Sequence, residues 1–335
     1  MRVLILFIAA LLSAQTLNFI IPQIEINTSS TTTQPIIQTE ELNDTFVSIN
    51  SKAQIAVVIN KKRFYKYIPS LMNSLIAYYS QKSIDYNITL YDSDVNLSSL
   101  PQKYILYYTT DKTKIASLKD YNKTFFLPLI DKESNSSDNV FFGGINFKAQ
   151  IKALSDITDK NTSVITSNTQ ISKTLLTYEQ NLTNVQNVFR YPNINYKDLN
   201  DSFVFLNTIS SKTAQVLSKI TQKNIQTKLN LTPQIGYSPL IILLTQPQDI
   251  EKLIIANSII NPPLIINEYT NLLNSDIKYN WFNYSTLILA NKAYNMQNQE
   301  DEFYMSDFNI YIFDNQINYK TKLYRISQGA FKEVE

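Results

Sequence analysis

From residue 54 onward, the chain alternates short, continuous apolar runs with longer segments whose apolar residues recur at helical spacing. Continuous apolar strands separated by helices are typical of parallel sheets that are covered on both faces. A chain of 335 residues also exceeds what one compact core usually holds. We therefore predict an α/β fold of two lobes, each a mostly parallel sheet with helices on both faces. The clearest predicted strands are Gln54–Asn60, Ile88–Tyr91, Tyr104–Tyr108, Thr124–Ile130, Ser163–Ser167, Val185–Arg190 and Phe203–Asn207, and the clearest helices are Phe64–Gln81, Lys112–Lys119, Phe147–Ile157, Gln170–Asn181 and Ser211–Gln222.

Two residue types are missing from the whole sequence. Without histidine, the chain lacks the usual general base near neutral pH and the commonest ligand of transition metals. Without cysteine, it has no thiolate nucleophile, no disulfide and no acceptor for a lipoprotein's lipid. The net charge is +2, and we find no basic stripe that would neutralise nucleic-acid phosphates. We predict a protein that is not an enzyme and has no cofactor, metal site or nucleic-acid partner, although pairs of Asp and Glu leave carboxylate chemistry such as glycan cleavage as an alternative.

The N-terminus has the pattern of a secretory signal peptide over residues 1–14. Arg2 is followed by the apolar run Val3–Leu12, and small residues at 13 and 14 precede the expected cleavage point. The run is much shorter than the ~20 residues that span a bilayer. The apolar segment Leu17–Pro22 leaves an uncleaved anchor as the alternative. Residues 15–52 are rich in Ser, Thr and Asn and predict a flexible tether, so we expect an exported, periplasmic protein.

Asparagine-linked glycosylation acceptors, N-x-[S/T], occur eleven times, and the residue two positions before the asparagine distinguishes them. That residue is acidic in nine of the eleven, whereas 28 acidic residues among 335 would place one there about once by chance. The two exceptions are Asn230, preceded by Lys228, and Asn283, preceded by Trp281. The nine acceptors with the acidic residue are Asn27, Asn43, Asn87, Asn96, Asn122, Asn135, Asn161, Asn181 and Asn200.

The pattern D/E-x-N-x-S/T resembles the sequon of bacterial oligosaccharyltransferases, which read the acidic residue. The resemblance implies N-linked glycans on these nine asparagines. It also supports export, because that reaction takes place on the periplasmic side. A loop composition rich in Asp, Asn and hydroxyl residues is the alternative, and it accounts for a few matches rather than nine.

The order of elements over residues 53–335 resembles the type I periplasmic binding protein superfamily, which includes branched-chain amino-acid receptors and lipoprotein activators of penicillin-binding proteins. The resemblance implies three crossings between two lobes. Lobe one would then consist of residues 53–150 and 263–300, and lobe two of residues 151–262 and 301–335. The segments that carry it are IAVVI with the helix that follows, NVFFGGINFKAQIKAL, SFVFLNTISSKTAQVLSKI, WFNYSTLILANKAY and FDNQINYKTKLYRISQGAFKEV.

The same resemblance implies a ligand cleft between hinged lobes. In amino-acid-binding members, hydroxyl groups and N–H groups at helix N-termini hold the carboxylate. The matching positions here are Thr109 and Thr110 after the third strand and Ser134 after the fourth. Glu268, beside Tyr269, could hold an ammonium group. An ordinary helix cap is the alternative for the threonines, and a solvated helix turn is the alternative for Glu268 and Tyr269.

This pocket signature is degenerate. The family usually has Gly-Pro or Gly-Ala where this chain has Thr109-Thr110, and the missing glycine limits close approach of the backbone to a ligand. We therefore favour a non-enzymatic interaction or scaffold module in a cell-envelope assembly, in peptidoglycan synthesis, secretion or a flagellar motor, with an envelope protein complex as its partner. The alternative is a receptor that delivers an amino acid or a related small-molecule ligand to a membrane transporter.

The stretch of residues 231–283 has no acceptor with the acidic residue. Glycans would leave this part of the chain uncovered. We therefore expect a protein partner to dock on a surface contributed by Ser238–Asn267.

Overall fold

A computed structural model describes residues 52–132, 138–159, 161–260, 262–299 and 302–334. The predicted signal peptide and nearly all of the predicted tether lie outside the described residues. No helix among the described residues is long and apolar enough to cross a bilayer.

The described residues form strands and α-helices that alternate along the chain, as the apolar pattern predicts, and we number them in chain order. The strands are β1 (Ala53–Ile59), β2 (Tyr86–Asp92), β3 (Tyr104–Tyr108), β4 (Thr124–Leu127), β5 (Val140–Phe142), β6 (Asn161–Thr166), β7 (Asn184–Arg190), β8 (Phe203–Asn207), β9 (Leu229–Thr232), β10 (Leu253–Asn257), β11 (Tyr304–Met305), β12 (Ile310–Phe313), β13 (Gln316–Ile317), β14 (Lys322–Ser327) and β15 (Ala330–Glu333). The helices are α1 (Lys61–Phe64), α2 (Ile68–Gln81), α3 (Ile115–Leu118), α4 (Phe147–Ser155), α5 (Gln170–Leu182), α6 (Ser210–Gln222), α7 (Pro239–Leu244), α8 (Pro247–Ile250), α9 (Leu264–Leu272) and α10 (Trp281–Gln297).

The strands build two mixed, mostly parallel sheets. The first has the order β11-β12-β13-β5-β4-β3-β1-β2, in which β1 to β5 run parallel and β11 and β12 run antiparallel to their neighbours. The second has the order β15-β14-β10-β9-β8-β6-β7, in which β6 to β10 run parallel and the hairpin β14–β15 completes one edge. The predicted fold class, α/β with a mostly parallel sheet in each of two lobes, is confirmed.

Helices cover both faces of each sheet. Successive residues of a strand point to opposite faces, so each central strand contributes side chains to two separate cores. In β1, Val57 packs into a core shared with α2 and α10, whereas Val58 packs into a core with Leu118 of α3. In β8, Leu206 faces a core shared with α6, whereas Phe205 faces α4 and α5. This two-sided burial explains why the strands read as continuous apolar runs rather than as alternating ones.

The chain passes between the sheets three times, after β5, after β10 and after β13. Two of these crossings differ from the boundaries expected at 150 and 300. Helix α4 packs on α5 and β10 of the second sheet, so the first crossing is complete before residue 147. Residues 304–317 pair within the first sheet, because Gln316 of β13 extends it beside Phe142 of β5. The chain therefore returns to the second sheet at residues 318–321. The boundary differs from the expected one because the apolar pattern of a short strand does not indicate which sheet edge it joins.

Candidate functional site

The strand order of the first sheet places a crevice at the carboxyl ends of β1 and β3. In doubly wound sheets, ligands bind outside the carboxyl ends of the strands where the order reverses, which here lies between β1 and its neighbour β3. Two segments follow those strand ends, residues 60–66 after β1 and residues 109–111 after β3.

Hydrogen bonds join the loops that meet at this point. Asn60 follows β1 and caps α1, since its side chain accepts a hydrogen bond from the Arg63 backbone N–H at 2.7 Å. The Asn60 amide also donates to the Ser93 hydroxyl, 3.2 Å away in the loop after β2. Arg63 then reaches across to the loop after β3, where its Nη1 donates to Thr110 Oγ1 at 3.0 Å. The arginine is therefore held beside the point where the strand order reverses, by Asn60 through its backbone and by Thr110 through its side chain.

The two predicted threonines differ in what they can offer a ligand. Thr109 is buried, and its hydroxyl accepts a hydrogen bond from the Asp111 backbone N–H at 3.0 Å, which commits it to the turn. Thr110 is exposed and accepts from Arg63, so its own hydroxyl proton remains free to donate outward. Asp111 rather than either threonine caps the following turn, because its carboxylate accepts from the Thr113 backbone and hydroxyl. These bonds lower the pKa of the Asp111 carboxyl.

Positive charge is concentrated beside this pair. Lys61, Lys62, Arg63 and Lys66 are all exposed, and within the described residues no carboxylate forms an ion pair with any of them. Our interpretation of the sequence overlooked this cluster, although four cations within residues 61–66 directly after a buried strand were a readable signal. Arginine offers five N–H donors in a planar fork that suits carboxylates and phosphates. The site therefore favours an anionic group.

The other predicted ligand residues lie elsewhere. Ser134 falls outside the described residues. Glu268 and Tyr269 are exposed on α9, which packs against α2, and no hydrogen bond between described residues joins them to Thr109 or Thr110. The structure thus brings the two threonines together with Arg63 and leaves Glu268 and Tyr269 on a separate helix.

The corresponding point of the second sheet, between β6 and β8, is occupied by the protein's own hydroxyl groups. Ser172 Oγ lies 2.7 Å from Ser167 Oγ and donates to the Asn207 carbonyl at 2.7 Å. Thr208 and Thr213 hydroxyls are paired at 2.8 Å. These groups satisfy one another inside the lobe, so this edge offers fewer free donors than the Arg63–Thr110 edge.

A second concavity, of about 290 Å³, lies between the β14–β15 hairpin and the second crossing. Its aromatic side chains pack on one another, with the Tyr237 and Phe331 rings 4.5 Å apart and the Tyr237 and Tyr279 rings 5.3 Å apart. Burial, followed by the neighbouring Tyr279, raises the pKa of the Tyr237 hydroxyl, which therefore stays neutral. Its remaining lining residues are Ile242, Ile259, Pro262, Lys278, Tyr324, Gly329 and Ala330.

Among the described residues, the asparagines of the acidic sequons are exposed, and the asparagines of the two sequons without the acidic residue are buried. Both acceptors that lack the acidic residue are buried, Asn230 at 3% exposure in β9 and Asn283 at 0% in α10. Three with the acidic residue, Asn27, Asn43 and Asn135, lie outside the described residues. The other six are all exposed, and they are Asn87, Asn96, Asn122, Asn161, Asn181 and Asn200.

No protein-family model and no curated protein matches the sequence. Solved structures are similar to this chain at low identity. A branched-chain amino-acid ABC transporter protein from Thermus thermophilus with bound valine has a TM-score of 0.62 and 10% identity, and the match covers 85% of this chain and 96% of that one. A leucine-binding protein from Thermotoga maritima has a TM-score of 0.57 and 11% identity, with coverage of 84% and 98%. LpoA of Haemophilus influenzae has a TM-score of 0.55 and 9% identity, with coverage of 87% and 60%.

At such identities the similarity establishes the fold alone. All three comparisons extend over both sheets, since each covers more than four fifths of the chain. The chain has the two-lobed α/β fold of the type I periplasmic binding proteins.

Proposed function

We propose that this chain is a non-catalytic binding protein for a small anionic solute, held through its carboxylate or an equivalent anionic group by Arg63 and Thr110. The observation that carries the proposal is the 3.0 Å bond from Arg63 to Thr110 at the switch point of the first sheet. Arg63 uses one donor in that bond and keeps others for a ligand, while Thr110 keeps its hydroxyl proton. Proteins with this fold that are named for leucine binding or contain bound valine make the receptor interpretation more favourable than the scaffold interpretation.

Replacing Arg63 by alanine is expected to weaken solute binding by about tenfold to a hundredfold, since a hydrogen bond to a charged group contributes about 1.5–3 kcal/mol. Thr110→Val should weaken it by about threefold to tenfold, because it removes one neutral donor. The panel of probes is amino acids, hydroxy acids, dicarboxylates and inorganic phosphate, screened by thermal shift and then measured by isothermal titration calorimetry.

Lys66→Ala is the matched control, because it removes a neighbouring exposed cation that does not bond to Thr110. Its affinity should remain within about threefold of wild type, as expected for a screened surface charge. Equal binding by the wild type and the Arg63→Ala variant would contradict the proposed site. A panel in which no anion binds would contradict the receptor function itself.

An exposed apolar surface favours a second candidate function, docking in an envelope assembly. Leu243 of α7 and Leu264 of α9 are 76% and 70% exposed. The aromatic concavity is lined by Ile242 of α7 and by Pro262, which precedes α9 in the chain. Exposed apolar residues that lie close in sequence to the lining of one concavity are typical of a protein interaction site. The other exposed apolar residues within residues 238–267 are Leu240, Leu244 and Ile265.

Leu243→Asp combined with Leu264→Asp is expected to lower recovery of an envelope partner by at least about tenfold, because charges would be buried in the apolar centre of the interface. Recovery is measured by co-purification of the native protein from periplasmic extracts under mild detergent. Phe313→Asp is the control, since Phe313 is 74% exposed on the first sheet, outside this surface. Unchanged recovery with the double variant would rule out this surface, and failure to find the chain in the periplasmic fraction would contradict the proposed location.

A further inference from the structure

We infer that folding decides which acidic sequons of this chain an oligosaccharyltransferase can use, with Asn96 accepted by the folded protein and Asn181 accepted only before the second lobe folds. The inference is independent of the proposed function. It depends on three groups at each sequon: the acidic side chain two residues before the asparagine, the asparagine itself and the hydroxyl residue two positions after it.

All three groups are open at Asn96. Asp94, Asn96 and Ser98 are each exposed in the loop between β2 and β3. The hydrogen bonds here are local, since Asn96 Oδ1 accepts from the Ser98 backbone N–H at 3.0 Å and the Ser99 hydroxyl donates to the Asn96 carbonyl at 2.8 Å. Because these bonds stay within residues 96–99, an enzyme can bind the sequon without breaking a hydrogen bond to another part of the fold.

The sequon at Asn181 is closed although the asparagine itself is exposed. Its acidic residue, Glu179, is 0% exposed on the inner face of α5. The Glu179 carboxyl accepts a hydrogen bond from the Asn207 side chain on β8 at 2.8 Å. An enzyme that reads this acid would have to displace the helix from the sheet.

The other end of the same sequon is held by the helix terminus. The backbone N–H of Thr183 donates to the Glu179 carbonyl at 2.8 Å, and its hydroxyl donates to that carbonyl at 3.0 Å. The hydroxyl also lies 2.9 Å from Thr162 Oγ1 on β6. The first and last residues of the sequon are therefore bonded to each other and to the second sheet, so neither is available in the folded state.

The remaining described acceptors fall between these two. Thr124 and Ser163, the hydroxyl residues of the Asn122 and Asn161 sequons, are buried at 6% and 1% exposure. Asn87 lies in the edge strand β2, and at Asn200 the acid and the asparagine are exposed beside a half-buried serine. Among the described acidic sequons, the one at Asn96 is therefore the most accessible in the folded chain and the one at Asn181 the least. The two lie in different lobes.

The test compares the full-length chain in two states, after production in a host without glycosylation enzymes. The folded wild type and a Leu206→Asp variant are each incubated with a purified bacterial oligosaccharyltransferase and lipid-linked oligosaccharide. Leu206 is fully buried in β8, so an aspartate there unfolds the second lobe. Site occupancy is measured by mass spectrometry of glycopeptides.

In the folded wild type we expect Asn181 to be modified at least about tenfold more slowly than Asn96, because it reacts only through opening of the lobe. In the Leu206→Asp variant the two rates should agree within about threefold. Adding Glu179→Gln to that variant should abolish modification at Asn181, just as Asp94→Asn should abolish it at Asn96 in the wild type.

Equal rates at Asn96 and Asn181 in the folded wild type would overturn the inference. So would an unmodified Asn96 in both states, which would mean that these sequons are not substrates. Asn230 and Asn283 should stay unmodified in both states, because Lys228 and Trp281 stand where the acid is needed. Asn230 lies in β9 of the second sheet, so its modification in the variant with the unfolded second lobe would show that exposure alone, rather than the acidic residue, selects the sites.

Discussion

A Glu179→Gln variant is expected to lose a pH dependence of stability that the wild type has above pH 4.5. Burial raises the pKa of the Glu179 carboxyl well above 4.5, and the bond from Asn207 lowers it only in part. Between 4.5 and that raised pKa, the folded chain keeps a proton that the unfolded chain releases. The free energy of unfolding therefore falls as the pH rises, by up to about 1.4 kcal/mol per pH unit, and this loss is complete above the folded-state pKa.

The hydrogen bonding at this pair explains why the protonated form is preferred. Glu179 Oε1 and Asn207 Oδ1 are both buried acceptors without a hydrogen-bond partner. An ionised carboxyl offers no donor to the pair, whereas a protonated one supplies one donor. Glutamine stays neutral at every pH and keeps a donor beside an acceptor. The free energy of unfolding of the Glu179→Gln variant should therefore exceed that of the wild type by more at pH 8 than at pH 5.

Urea unfolding at pH 5, 6.5 and 8 measures this difference, with circular dichroism as the signal. Glu251→Gln is the matched control, since Glu251 is exposed after α8 and its replacement should leave the wild-type pH profile unchanged. Parallel pH profiles for the wild type and the Glu179→Gln variant would show that the buried carboxyl does not titrate between the folded and unfolded states in this range.

Gly144→Ala is expected to lower the free energy of unfolding by about 3 kcal/mol or more, because it overpacks a place where two backbone segments touch. A Cβ on Gly144 would overlap the backbone of Ile130 and Asp131 and lie 2.7 Å from the Ile130 carbonyl oxygen. That same carbonyl accepts the Gly144 N–H at 2.9 Å, so the two segments cannot separate without losing the bond. The measurement is urea unfolding of the variant beside the wild type.

Gly329→Ala separates this steric effect from glycine's backbone freedom. Gly329 has a φ of +71° in the β14–β15 turn, and nothing lies within 4 Å of the position of its added Cβ. Alanine there should cost only about 1 kcal/mol, from the left-handed backbone. A Gly144→Ala variant as stable as the Gly329→Ala variant would contradict this prediction. It would mean that the backbone at Ile130 can move away from residue 144 at little cost in stability.

Local patterns in the sequence were sufficient for the fold class. The buried strands near residues 54–60, 104–108 and 203–207 were predicted within about one residue at each end, because a strand covered on both faces must be apolar throughout. The family resemblance placed residues 301–335 in lobe two, whereas β11, β12 and β13 extend the first sheet. Strands of two to four residues carry too little side-chain pattern to specify which of two sheets they extend.

The candidate site was predictable only in part. Thr109 and Thr110 were implied by the family resemblance, which matches them to ligand-binding positions after the third strand, but which of them is exposed depended on the turn that Asp111 caps. Arg63 was not named, because its role depends on the pairing of β1 with β3, which brings together residues 47 positions apart.

The sequence by itself determined the residue types that this protein can use, the alternation that produces two parallel sheets, and the nine acidic sequons, since all three are properties of neighbouring residues. Only the tertiary structure decided that Arg63 contacts Thr110, and that Glu179 is buried on the inner face of α5 while Asp94 is exposed. Burial and long-range pairing are set by how the helices cover the sheets. Two sequons with the same local pattern can therefore have opposite accessibility in the folded chain.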